Sequence, residues 1–138
     1  MRRFGATSLL LVAVALAGCS RKETPPAAAS ALRVADISLG RSIAADKSVV
    51  DKSDSFRPED TFYLSVRTEG SATSATLKAR WTYEGGQVVD ESIQSIAPSG
   101  PAITEFHVSK PDGWPPGRYE VEVSLNGATA GRKEFKVG

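Results

Sequence analysis

Cysteine occurs once in the 138 residues, at Cys19, and histidine once, at His107. A lone cysteine excludes an intrachain disulfide framework and a thiolate-ligated metal site. A lone histidine leaves any imidazole-based metal centre dependent on carboxylates from other segments, and no clustered ligand spacing is present. There is no G-x-S-x-G and no phosphate-cradling glycine loop, so neither a cofactor nor a catalytic role is expected. Carboxylate pairs can assemble from separate strands, an arrangement that spacing does not reveal. Charge of one sign is also missing: 17 Lys and Arg stand against 16 Asp and Glu. Nothing steers such a chain to nucleic acid or to anionic lipid. No apolar run reaches the roughly 20 residues that a helix needs to span a hydrocarbon core.

The longest apolar run is Leu9 to Ala17, preceded by Arg2 and Arg3 and followed by Gly18 and Cys19. Its length suits the apolar region of a signal peptide. Leu16-Ala17-Gly18-Cys19 resembles the lipobox of bacterial lipoproteins. That resemblance implies removal of residues 1–18, lipid attachment at the Cys19 thiol and a covalently held membrane partner. Two or more acyl chains, at about 0.8 kcal/mol per buried CH₂, hold a protein stably where one does not. Ser20 stands where an Asp would imply retention at the inner membrane, so the expected address is the outer membrane, with the domain facing the periplasm or the cell surface. Ser20 to Ser30, with Pro25, Pro26 and three consecutive alanines, has no apolar period and reads as a flexible tether. Extended, it reaches about 35 Å.

Loss of Arg2 and Arg3 takes the basic count from 17 to 15 against 16 acidic side chains, close to neutrality. Residues 31–138 suffice for one domain with one core. Their dominant pattern has period two. Ala35, Ile37 and Leu39 alternate with polar residues, as do Phe62, Leu64 and Val66, and then Leu77, Ala79, Trp81 and Tyr83. Gln87 to Ala97 is more mixed, with Val89 and Ile93 in one phase, and suits an edge strand. Thr104, Phe106 and Val108 follow, then Tyr119, Val121, Val123 and Leu125. Asn126-Gly127 fits a type I′ turn that returns the chain along Lys133 to Val137, where Phe135 and Val137 face inward. The expected fold is all-β: a single seven-stranded antiparallel sandwich. Trp81, Tyr119, Phe62, Phe106 and Phe135 are its structural core.

Trp114-Pro115-Pro116-Gly117-Arg118-Tyr119 resembles the W-x-x-G-x-Y segment of small bacterial immunoglobulin-like domains and the tyrosine corner of fibronectin type III-like domains. The resemblance implies a Tyr119 hydroxyl bonded to upstream backbone while its ring fills the core. Phe56-Arg57-Pro58-Glu59-Asp60 looks like the F-x-P-x-D lead-in to a second strand in such domains. Asp51-Lys52-Ser53-Asp54-Ser55 has the start of a calcium loop but not its sixth-position glycine or closing glutamate, so no metal is assigned there. Trp114, in a rigid proline- and glycine-flanked loop, is the candidate binding residue: it either caps the core or, if exposed, anchors a sugar or a partner's proline. The function expected is that of a non-catalytic lipoprotein whose domain contacts another envelope protein. A glycan- or peptidoglycan-binding module and a peptidase inhibitor are the alternatives.

Overall fold

The longer strands form where alternating side chains leave one face of the backbone wet and the other dry. The computed structural model describes residues 31–138. The signal peptide, Cys19 and the tether lie outside the described residues. Eight strands follow in chain order: β1 (Arg33–Gly40), β2 (Ser55–Phe56), β3 (Phe62–Glu69), β4 (Ala75–Tyr83), β5 (Gln87–Ile96), β6 (Ala102–Val108), β7 (Gly117–Leu125) and β8 (Ala128–Val137). They form a three-stranded sheet, β1-β3-β6, facing a five-stranded sheet, β2-β8-β7-β4-β5.

This corrects the expected count of seven and the expected all-antiparallel pairing. The additional strand, β2, runs parallel to the end of β8, with Ser55 opposite Lys136 and Phe56 opposite Val137. Two residues are too few to show an alternation. What holds them is Phe56, whose ring is buried against Phe62 and Phe135 at 4.9 and 5.3 Å between centroids. The last strand also starts earlier than Lys133. The β7–β8 hairpin turns on Asn126 and Gly127, both at positive φ (50° and 84°), which matches a type I′ turn. The Asn126 side-chain oxygen accepts from the Thr76 N–H at 2.9 Å and ties the turn to β4.

A bulge in β5 sets Val89 and Ile93 on different faces, contrary to the single phase expected of them. Trp81 lies opposite Asp90 and Thr82 opposite Val88, so Val89 is the extra residue. Val89 packs toward the core, while Ile93 points out and is 62% exposed. Ile93 is opposite Lys78, which also points outward.

The core lies between the sheets and is richest in rings at the pole holding the start of β3. Phe62 is fully buried, and around it stand Phe56, Trp81, Trp114, Tyr119 and Phe135, with centroids 4.5 to 6.0 Å away. Phe106 closes the β6 side of the same core. Among the described residues, the Trp81 indole N–H is the buried side-chain polar atom without a partner. The segment after β1 doubles back: Ile43 bridges to Val49, and the Ser65 hydroxyl on the outer face of β3 donates to the Lys47 carbonyl. The outer face of the smaller sheet is thereby partly covered.

Candidate functional site

The two loop motifs singled out in the sequence meet at one pole and clip each other. The Trp114 backbone N–H donates to the Pro58 carbonyl at 2.8 Å, and its indole N–H donates to the Asp60 carbonyl at 3.0 Å. The Asp60 carboxylate accepts from the Arg57 backbone N–H at 2.8 Å and lies 3.3 Å from the Arg41 guanidinium. Trp114 is only 4% exposed and stacks on Phe62 at 4.5 Å. Burial therefore takes it away as an exposed binding anchor: the ring stacks on Phe62, meets Tyr119 edge-on at 6.0 Å and spends its indole N–H on the Asp60 carbonyl. The sugar-binding alternative loses the exposed aromatic it required.

Tyr119 completes the same pole. Its hydroxyl donates to the Pro115 carbonyl at 2.6 Å, and the neighbouring Tyr83 hydroxyl donates to the Pro116 carbonyl at 2.9 Å. Burial, with Tyr83 and Glu84 adding to it, pushes the Tyr119 hydroxyl up to about 12. An unfolded tyrosine titrates near 10. Between those values the unfolded chain releases a proton that the folded chain retains, so stability falls as pH rises. The expected loss is about 1 kcal/mol by pH 11 relative to pH 9. Urea midpoints at the two pH values check it, because Tyr119→Phe should remove that share of the alkaline slope.

His107 sits on the outer face of β6 with its Nδ1 2.6 Å from a Glu105 carboxylate oxygen, and its side chain is largely exposed. The acidic connection between β1 and β2 is engaged in local bonds. The Asp51 carboxylate lies 3.4 Å from Arg41, and the Asp46 carboxyl, bonded by the Ser48 hydroxyl, is held below its usual range. Among the described residues no group of three or more His, Cys, Asp or Glu side chains is arranged to hold a metal ion.

The remaining candidate is the outer face of the five-stranded sheet, where cross-strand register aligns charges that are far apart in sequence. One row reads Arg132, Glu122, Arg80, Glu91 across β8, β7, β4 and β5, alternating in sign. Arg132 Nε lies 2.8 Å from Glu122 Oε2, and Arg80 Nε lies 4.0 Å from Glu91. The bond from Arg132 holds the Glu122 carboxyl below its ordinary range. The next two rows toward the Trp114 pole are different. Glu134 stands opposite Glu120, and beyond them Lys136 stands opposite Arg118. Like charges directly opposite each other destabilise a sheet. These four residues help line a concave groove of about 870 Å³, together with Asp54, Thr82 and Glu84.

Sequence reasoning placed the outward phase of these strands but not their alignment, so the charge rows could not be read from it. The groove offers paired cations beside paired carboxylates and suits recognition of a surface carrying both signs. Glu120 retains a distant contact to Arg132 at 3.8 Å, whereas Arg118, Glu134 and Lys136 have no side-chain ion pair within 4.0 Å among the described residues.

No protein-family model matches the sequence. No curated protein is similar to it at a significant level. Solved structures are similar in shape. An immunoglobulin-like protein from Pseudomonas aeruginosa superposes with a TM-score of 0.54 at 15% identity, over 80% of this chain and 99% of that one. An alkylpurine DNA glycosylase from Pseudomonas fluorescens, bound to DNA with an abasic site analogue, gives 0.50 at 17% identity over 77% of this chain. A mutant beta-glucosidase from Listeria innocua in complex with laminaribiose gives 0.50 at 10% identity over 78% of this chain. This chain spans 30% of the glycosylase and 16% of the glucosidase, so those likenesses are to one domain of larger proteins. At such identities the likeness speaks for fold alone. Two facing β-sheets and a likeness spanning 99% of an immunoglobulin-like protein show that the described residues take an immunoglobulin-like all-β fold.

Proposed function

We propose that the chain is a non-catalytic lipoprotein of the bacterial outer membrane, tethered through Cys19, whose domain binds another envelope protein through the outer face of its five-stranded sheet. The observation that carries this reading is the pairing of Arg118 with Lys136 beside Glu120 with Glu134. Side chains of like sign placed opposite each other weaken the sheet, and a partner offering acidic and basic groups in the reverse order would offset that loss. The position of the face agrees with a tether. The chain enters through β1, in the three-stranded sheet, and the groove lies on the opposite side of the sandwich. The smaller sheet's outer face is partly taken by the chain's own β1–β2 segment.

Two experiments test the two halves of the proposal. Cys19→Ala should lose incorporation of labelled palmitate and release the protein from membranes; continued labelling would refute the anchor. For the face, a photocrosslinking residue at Thr82, in the groove, should capture a defined envelope protein in cells. Arg118→Glu combined with Lys136→Glu should abolish that adduct. Capture that survives the charge reversal, or no adduct from Thr82, would overturn this surface as the contact.

A further inference from the structure

We propose that two copies of this chain pair through β5, antiparallel about a two-fold axis at Ile93, so that their five-stranded sheets become one sheet of ten strands. β5 is ten residues long and forms one edge of its sheet. Among the described residues it has no strand on its far side. An edge of that length is a template for another strand. Edges are commonly blunted with lysine, proline, an inward-pointing charge or a bulge; β5 has neither Lys nor Pro, and its bulge at Val89 and inward Asp90 both lie in its first four residues. Three large apolar side chains are exposed on the described surface, and two of them, Val88 and Ile93, lie on this strand.

The bulge decides the register. Beyond Val89 the strand is regular from Asp90 to Ile96, and the centre of that stretch is Ile93. A two-fold axis there uses the whole stretch. It places Ile93 against Ile93 of the second copy, Ser92 against Gln94, Glu91 against Ser95 and Asp90 against Ile96. No like charges face each other and the most exposed apolar residue of the strand is covered, while Gln94, whose side-chain N–H donates to the Glu105 carbonyl at 2.6 Å, keeps that bond. Centring on Glu91 instead would set the two Glu91 carboxylates face to face. Centring on Ser92 would carry the pairing across the bulge, and centring on Gln94 would shorten it. Charge and regularity therefore select one register in which β5 is compatible with a second copy of itself. The interface is isologous, and because the axis is perpendicular to the sheet both charged grooves face the same way. Nothing in this pairing depends on the identity of the groove's partner.

The test uses the full chain in cells. Directly opposed residues of antiparallel strands have Cα atoms about 4.5–5.5 Å apart, within disulfide reach. Ile93→Cys should therefore give a disulfide-linked dimer on non-reducing gels after mild oxidation of membranes, while the parent chain and Gln87→Cys should not. Added to Ile93→Cys, Ser95→Lys should raise the dimer yield and Ser95→Glu should lower it, each by about fivefold at limiting expression, through two cross-strand pairs with Glu91 of the second copy. Thermal melting of the reduced proteins at high dilution should be unchanged in all of them, since these side chains are exposed in the single chain. No dimer from Ile93→Cys, a crosslink to a different protein, or equal yields from the two Ser95 variants would each overturn the proposal.

Discussion

Phe62→Ala is expected to destabilise the domain by about 3–5 kcal/mol, the upper range for removal of a buried ring. Phe62 has no exposed surface and is the common neighbour of five aromatic side chains. The size of the loss depends on whether those neighbours can close the space. Two of the largest cannot move freely: Trp114 is tied by its indole N–H to Asp60 and Tyr119 by its hydroxyl to Pro115. Closing the cavity would break one of those bonds, and leaving it open forfeits the contacts of the ring. Against a total of roughly 5–15 kcal/mol for a domain of this size, the variant loses a large share of its stability. Urea unfolding should show the midpoint falling with little change in slope, and Tm should fall by more than about 10 °C. A loss below about 1.5 kcal/mol would mean that the ring cluster repacks and that Phe62 is not its hub.

Gly117→Ala should cost about 2–4 kcal/mol, combining overpacking with a backbone angle that suits glycine. Gly117 has φ of +146°, and a Cβ there would run into the Glu84 carboxylate and the Tyr83 ring. Neither can step aside without loss. Glu84 accepts from the Arg118 N–H at 3.1 Å, its own N–H donates to the Arg118 carbonyl at 2.9 Å, and Tyr83 is bonded to Pro116. Gly85→Ala is the matched control, since Gly85 also has positive φ (+82°) but nothing lies within 4 Å of an added Cβ. It should lose only about 1 kcal/mol. Equal losses in chemical denaturation at the two positions would show that backbone conformation, not the close approach to Tyr83 and Glu84, makes residue 117 a glycine.

Strands such as β3, β4 and β7 were legible because each has one wet and one dry face, and period two survives even where the neighbours are unknown. Phe62, Trp81, Phe106, Tyr119 and Phe135 all lie on dry faces for that reason. Three features were not legible. β2 is held by a single ring and a parallel pairing with a segment 81 residues later, Ser55 with Lys136, which leaves no local pattern. The Val89 bulge changes the phase of β5 without any glycine to mark it. Trp114 carried an ambiguous signal, since a ring in a Pro- and Gly-rich loop suits either a core cap or an exposed anchor. What decides is Asp60, whose carbonyl lies 54 positions away in sequence and meets the indole only once the chain is folded. The charge rows share that property: every member is outward and polar, and only register sets Glu120 beside Glu134 and Arg118 beside Lys136.

The way the chain enters its fold has a mechanical consequence. Ala31 leads directly into β1, whose seven paired residues from Arg33 to Gly40 lie antiparallel to β3. A force drawn along a tether at Ala31 runs down the axis of β1. It loads those residue pairs together, in shear, rather than peeling them one at a time. Rupture under such loading is governed by the unfolding rate rather than by the equilibrium stability. With a partner held on the far sheet, the line of tension would cross the ring cluster around Phe62, so the best-packed part of the domain would also be its strain-bearing joint.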